Sequence, residues 1–130
     1  MNKKKILLVD DEIILRDTLT DMLTLNNYSV LTAANGEEAL AILDDWIPDI
    51  IISDIMMPVM DGYTFYEKIK DSVVLNQIPF VFFSAKNDKE ANDKFIQKGV
   101  ELFISKPFKL EDLMLLIDMK IKKLKTNKKH

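Results

Sequence analysis

Four short runs of large apolar residues constrain this chain more than any other feature. They are Ile6-Leu7-Leu8-Val9, Ile50-Ile51-Ile52, Phe80-Val81-Phe82-Phe83 and Leu102-Phe103-Ile104. Each is far too short to cross a membrane, and none alternates with polar residues as a half-exposed strand would. Near-continuous apolar runs of this length are expected when a parallel sheet is covered by helices on both faces. The second run, bounded by Pro48 and Pro58, lies in the stretch DIIISDIMMPVMDG, Asp49 to Gly62. It ends on one carboxylate, Asp54, at the strand end where open α/β sheets place their chemistry.

Helical periodicity fills the intervals. Residues 12–25 carry Leu15, Leu19, Met22 and Leu23 on one face, and Asn26-Asn27 suits the left-handed end of that helix. Ser29 to Ala33 is a second strand. Glu37 to Trp46 is a helix with Ala39, Leu40 and Leu43 inward, and Tyr63 to Asp71 one with Phe65, Tyr66 and Ile69 inward. Residues 88–98 are a weaker helix whose only apolar positions are Ala91, Phe95 and Ile96, closed by Gly99. Leu110 to Leu124 is the last, facing inward with Leu110, Leu113, Met114, Ile117 and Ile121. Every Gly and Pro falls at a boundary or in a connection. Five strands alternating with five helices predict a doubly wound α/β sandwich, flavodoxin-like, with a five-stranded parallel sheet in the order 2-1-3-4-5.

Length and composition bound the function. The 130 residues make one domain, 1–124, followed by a lysine-rich tail, 125–130, expected to fray. A net charge of -3 gives no sign of nucleic acid or an anionic membrane as partner. The absence of cysteine removes disulfides, thiolate metal sites and thiol catalysis, and fits a reducing compartment. The basic start MNKKK leads into an apolar run of only four residues, which is neither a signal peptide nor a membrane span. A cytoplasmic protein is expected.

The strand ends supply the chemistry. The first delivers Asp10 and Asp11, the third Asp54, the fourth Ser84 and the fifth Lys106. A parallel sheet brings these to one edge. Clustered carboxylates repel by about 4 kcal/mol per pair at ~4 Å and an effective dielectric of ~20, which favours a cation. Carboxylate oxygens at a solvent-facing edge suit Mg2+. An acid beside Mg2+, with an ammonium and a hydroxyl opposite, can receive a phosphoryl group as an acyl phosphate.

With these residues in place the chain resembles the receiver domain of two-component response regulators, the chemotaxis-type single-domain regulator among them. The residues that carry the likeness are Asp10-Asp11, Asp54 within DIMMPVMDG, Ser84-Ala85, and Lys106-Pro107-Phe108. It covers residues 5 to about 122. The resemblance implies that Asp54 is phosphorylated by a histidine kinase or a phosphotransfer protein. It implies that Asp11, Asp54 and the backbone carbonyl of Met56 bind Mg2+ directly, with Asp10 acting mostly through water. It implies that Ser84 and Lys106 hold the phosphoryl oxygens, that the Lys106–Pro107 bond is cis, and that Phe103 is a switch aromatic that turns inward as Ser84 moves. Such a protein catalyses only its own phosphoryl transfer and dephosphorylation.

Plainer readings stand beside each residue. Asp11 or Glu12 can simply cap the first helix. Asp61-Gly62 is a turn and helix start, so Asp61 is left out of the site. Ser84 and Lys106 taken singly are an ordinary strand-end hydroxyl and a surface lysine, and Phe103 an ordinary core aromatic. Tyr28, Tyr63, Tyr66 and Trp46 read as packing or surface residues, and His130 as inert. Convergence of the five groups favours the phosphoacceptor. A flavin-binding electron carrier would want a glycine- and hydroxyl-rich loop where this chain has Asp10-Asp11-Glu12. A Mg2+-dependent phosphatase would carry its nucleophile on the first strand.

Two further expectations concern behaviour. Met56 and Lys86 lie two residues beyond Asp54 and Ser84, and neither can orient an attacking water, which predicts slow self-dephosphorylation. Leu115, Leu116 and Met119 form a second apolar stripe on the last helix, and the fourth helix has few anchors. Together they place a phosphorylation-sensitive surface, for an output partner or a dimer, on helix 4, strand 5 and helix 5. The chain has room for no output domain of its own. It either docks alone, passes phosphate along a relay, or serves as the receiver of a longer regulator.

Overall fold

A computed structural model describes residues 3–84 and 89–128, with the backbone alone for Leu102 and residues 123–128. Ala85, Lys86 and His130 lie outside the described residues. The elements alternate as expected: β1 (Lys4–Val9), α1 (Ile13–Leu25), β2 (Tyr28–Ala33), α2 (Gly36–Leu43), β3 (Ile50–Ser53), α3 (Gly62–Lys70), β4 (Phe80–Ser84), α4 (Lys89–Lys98), β5 (Leu102–Ser105) and α5 (Leu110–Lys128). A single 3-10 turn, Leu75–Gln77, precedes β4. The five strands form one parallel sheet in the order β2-β1-β3-β4-β5.

The continuous apolar runs are explained by two cores, one on each sheet face. Leu7, Val9, Ile51, Phe80 and Phe82 point toward α2, α3 and α4, where Ala39, Leu43, Phe65, Tyr66, Ile69 and Phe95 meet them. Ile6, Leu8, Ile50, Ile52, Val81 and Phe83 point the other way, against Leu19 and Leu23 of α1 and Leu113, Ile117 and Ile121 of α5. Successive strand residues therefore serve opposite cores, and no polar alternation appears. Phe95 is the only buried side chain of α4. Met22 on α1, expected on the inward face, is half exposed, and Ile96 on α4 is half exposed as well.

Element ends differ from expectation in two places. Helix α2 stops at Leu43 rather than Trp46, because Asp45 and Trp46 both donate to the carbonyl of Ile42 and the turn closes ahead of Pro48. The α5 backbone stays helical to Lys128, past the expected boundary at Leu124. Asn27 takes the left-handed conformation after α1 (φ 71°), as its residue type suggests. Asp61 caps α3, its carboxylate accepting from the Thr64 N–H at 2.8 Å. Gly62 follows because a Cβ there would collide with the backbone carbonyl of Asp54. The start of α3 is thereby drawn against the end of β3.

Candidate functional site

Parallel register builds the site. Val9 lies opposite Ser53, so the residues that follow, Asp10 and Asp54, leave the sheet on adjacent strands. The chain winds outward from β1 to β2 on one side and through β3 on the other, which makes this the topological switch point. Ser84 lies opposite Ser105, so Lys106 leaves β5 beside the end of β4. The backbone N–H of Asp54 donates to the Val9 carbonyl at 2.8 Å, and that of Lys106 to the Ser84 carbonyl at 3.1 Å. Asp10, Asp54 and Ser84 are all buried.

The Lys106 ammonium joins the acids. Its Nζ donates to Asp10 Oδ2 at 3.0 Å and to Asp54 Oδ2 at 3.1 Å, and lies 3.6 Å from Glu12 Oε1. It also sits 4.8 Å above the centre of the Phe83 ring. The second oxygen of each buried acid meets backbone: Asp10 Oδ1 accepts from Glu12 N–H at 2.8 Å, and Asp54 Oδ1 from Ile55 N–H at 2.7 Å. Burial pushes the Asp10 carboxyl above its ordinary range, against the opposing pull of the Glu12 N–H and of Lys106. Burial alone would lower Lys106, but its bonds to Asp10 and Asp54 leave it above the ordinary lysine value.

A family model described as the response regulator receiver domain matches residues 6–118. The chain belongs to this family. Among curated relatives, it is 37% identical over 113 residues to the "Probable transcriptional regulator ycf27" of Cyanophora paradoxa, covering 87% of this chain and 46% of that protein. It is 35% identical over 113 residues to "Response regulator Rre1" of Synechocystis sp., covering 86% and 49%. The receiver domain thus spans about half the length of these relatives. Among solved structures, a CheY-like receiver domain protein from Methanospirillum hungatei superposes with a TM-score of 0.90 at 25% identity, over 97% of this chain and 99% of that one. The chemotaxis response regulator CheY4 of Vibrio cholerae does so with 0.84 at 31% identity, over 92% and 99%.

The carboxylate cluster and the expected metal ligands differ at one acid. Among the described residues, the carboxylates whose oxygens come within 4.8 Å of one another are Asp10, Glu12 and Asp54. Asp11, expected as a direct Mg2+ ligand, is exposed and is not one of the three. Glu12 was read only as a helix cap. It occupies the N-cap position of α1 but makes no side-chain cap bond, and its N–H is held by Asp10 instead. In a run of consecutive acids, sequence alone does not say which turns inward. The donor set is nonetheless all hard oxygen, with two of the three acids buried, which fits a divalent cation such as Mg2+.

The remaining expected residues are also placed. The Lys106–Pro107 bond is cis. Phe103 is partly buried on the α2–α4 side, its ring 5.2 Å from that of Phe82. The side chain of Met56 is 61% exposed. On α5, Leu115 and Met119 are exposed, whereas Leu116 packs against the α1–α5 core. Leu115 also lines a shallow groove with Asn26 and Tyr28, on the α1 side, while Lys120 pairs with Glu101 at 3.7 Å, just before β5. The expected stripe is therefore divided between two sides of the helix. No helix among the described residues is long and apolar enough to cross a membrane.

Proposed function

We propose that this receiver domain is a phosphorylation-dependent switch that accepts a phosphoryl group on Asp54 from the phosphohistidine of a histidine kinase or phosphotransfer protein. The observation that carries the reading is the ammonium of Lys106 bridging two buried carboxylates, Asp10 and Asp54, at the switch point of the sheet. An Asp54 oxygen attacks phosphorus, the phosphorus–nitrogen bond to the donor imidazole breaks, and an acyl phosphate is left on Asp54. Lys106 exchanges its bond to the carboxylate for bonds to the phosphoryl oxygens, and Ser84 donates its hydroxyl to another of them. Asp54, with Asp10, Asp11 and the Met56 carbonyl, would hold Mg2+, whose charge would offset the developing negative oxygens. Beyond this transfer and the hydrolysis of the acyl phosphate to inorganic phosphate the domain turns over no substrate, and a cytoplasmic setting suits it.

The donor has a surface to meet. Ile13 and Ile14 on α1 are 62% and 83% exposed. Beside them a cleft of about 560 Å³ opens between α1 and α5, lined by Leu15, Leu19, Pro107, Phe108 and Leu110, with Glu12 and Lys106 at its polar end. An apolar surface that reaches the site lysine suits a helical partner that presents a histidine.

The output runs through β4 and β5. Moving a population from 1:99 to 99:1 takes about 5.5 kcal/mol of differential interaction, and new charge-assisted bonds from Ser84 and Lys106 supply much of it. Ser84 moving toward the phosphoryl group lets Phe103 turn inward, and α4, anchored by Phe95 alone, follows. The responsive surface is α4, β5 and α5, for an output partner or a second copy. Charge reversal at Lys120, on the β5 side of α5, that left phosphorylation-dependent association unchanged would remove α5 from it. The transfer itself is tested by intact mass after incubation with acetyl phosphate and Mg2+. One phosphoryl group on the native protein and none on Asp54→Asn is expected, and equal labelling of both would refute the assignment.

A further inference from the structure

Asp10 has every polar atom committed, and one of its bonds comes from Arg16, which the proposed transfer does not use. Its backbone N–H donates to the Ala33 carbonyl at 3.0 Å. Its carboxylate oxygens accept from Glu12 N–H at 2.8 Å and Lys106 Nζ at 3.0 Å. Its carbonyl accepts from Nη1 of Arg16 at 3.0 Å. The sheet offers that carbonyl no partner, because Asp10 faces β2 and the ladder between β1 and β2 ends at Val9 and Ala33. Asp10 is fully buried, so an unpaired carbonyl there would be costly.

Arg16 is the only arginine among 18 basic residues. It is partly buried and reaches back from the first turn of α1. The two side chains brace the β1–α1 junction in opposite senses. Asp10 holds the Glu12 N–H at the start of the helix, and Arg16 holds the Asp10 carbonyl at the end of the strand. The junction has no other side-chain cap, since Glu12 at the N-cap position makes no cap bond. Lysine would keep the charge but lose the planar fork, whose several fixed donors suit a carbonyl at this reach.

We infer that Arg16 is a positioning residue for the divalent cation site: it fixes the Asp10 peptide, and through it the direction of the Asp10 carboxylate and the path of Asp11. The inference rests on the reading of Asp10 and Asp54 as cation ligands. Groups that orient a ligand without touching the metal commonly change affinity by roughly 10- to 100-fold. The expected pattern is a weakened Mg2+ affinity with little change in the transfer step once Mg2+ saturates the site.

The test is calorimetric titration of Mg2+ into wild type, Arg16→Met and Arg16→Lys, with phosphorylation by acetyl phosphate measured across Mg2+ concentrations. Arg16→Met is expected to raise the Mg2+ dissociation constant roughly tenfold, with Arg16→Lys between it and wild type. Raising Mg2+ should recover the phosphorylation rate. Leu23→Val, which loosens the same helix in the core, should leave the Mg2+ constant unchanged. An unaltered constant in Arg16→Met, or an equal shift in Leu23→Val, would reduce Arg16 to a structural residue and overturn the inference. Should Arg16→Met fail to fold, an unaltered constant in Arg16→Lys would do the same. Wild type that binds no Mg2+ would overturn the cation site itself, and this inference with it.

Discussion

Lys106 and Asp54 meet at 3.1 Å between side chains that are 13% and 7% exposed. In the cation-free protein this ammonium is the counter-charge for the buried acids. Lys106→Met should therefore lower stability by about 2 kcal/mol in urea denaturation with a chelator present, as expected for stranding part-buried charge. Mg2+ should restore more stability to the variant than it adds to wild type, because it takes over the missing charge. Equal denaturation midpoints for the two proteins without Mg2+ would show that Lys106 does not balance the acids.

Asp10 makes the pH dependence specific. Burial raises its carboxyl above the ordinary value of 3.8, so the folded state binds that proton more readily than the unfolded chain. Its contribution is most favourable at low pH and is lost as pH rises through the raised folded value. Ionised Asp10 thus opposes folding at neutral pH. Asp10→Asn should stabilise the cation-free protein by about 1 kcal/mol at pH 7, shrink that gain as pH falls, and weaken Mg2+ binding. Lys106 has a dependence of the same sign, at a much higher pH. Its folded value is raised above 10.5, so its contribution is complete below that pH and is lost as pH rises through the folded value. Urea melts of wild type and Asp10→Asn from acid to neutral pH check the sign of the Asp10 contribution.

Val59 carries strain beside the phosphoacceptor. It holds φ 67°, a left-handed conformation unusual for a β-branched residue. The Met60 N–H reaches back to the Pro58 carbonyl at 2.7 Å, closing a three-residue turn around it. The Val59 side chain is 77% exposed, so little packing would be lost with it. Val59→Gly should gain about 1 kcal/mol of stability. A drop in thermal midpoint would mean that glycine's added freedom in the unfolded chain outweighs the strain.

The lifetime of the phosphoryl group should respond to Met56. Its exposed side chain offers no hydrogen bond to water near Asp54. Met56→Asn supplies a carboxamide able to orient the attacking water, and should shorten the half-life severalfold. A half-life unchanged by the substitution, followed by decay of the phosphorylated species in intact mass spectra, would count against this setting of the signal.

The strands and the convergence at their ends were legible because both cores take their residues from the same continuous runs. Parallel pairing then leaves Asp10, Asp54, Ser84 and Lys106 no choice but a common edge. What was hidden depended on direction. Periodicity does not distinguish Asp10, Asp11 and Glu12, which follow one another as the chain turns from strand to helix. Arg16 gave no sign of its role, since its partner is a carbonyl rather than a carboxylate. The α5 stripe looked single at 100° per residue. Leu116 lies close enough to the core to be covered, while Leu115 borders the α1 side. The turn at Val59 was invisible because nothing in a valine suggests positive φ.

The central claim is that Asp54, and no neighbouring acid, becomes the acyl phosphate. Borohydride reduction tests it most directly, because it converts an aspartyl phosphate to homoserine and leaves free carboxylates untouched. After treatment with acetyl phosphate and Mg2+, then borohydride, peptide mass spectrometry should find homoserine at position 54 alone. Homoserine at Asp10 or Asp11, or none anywhere in a folded, Mg2+-binding protein, would contradict the account.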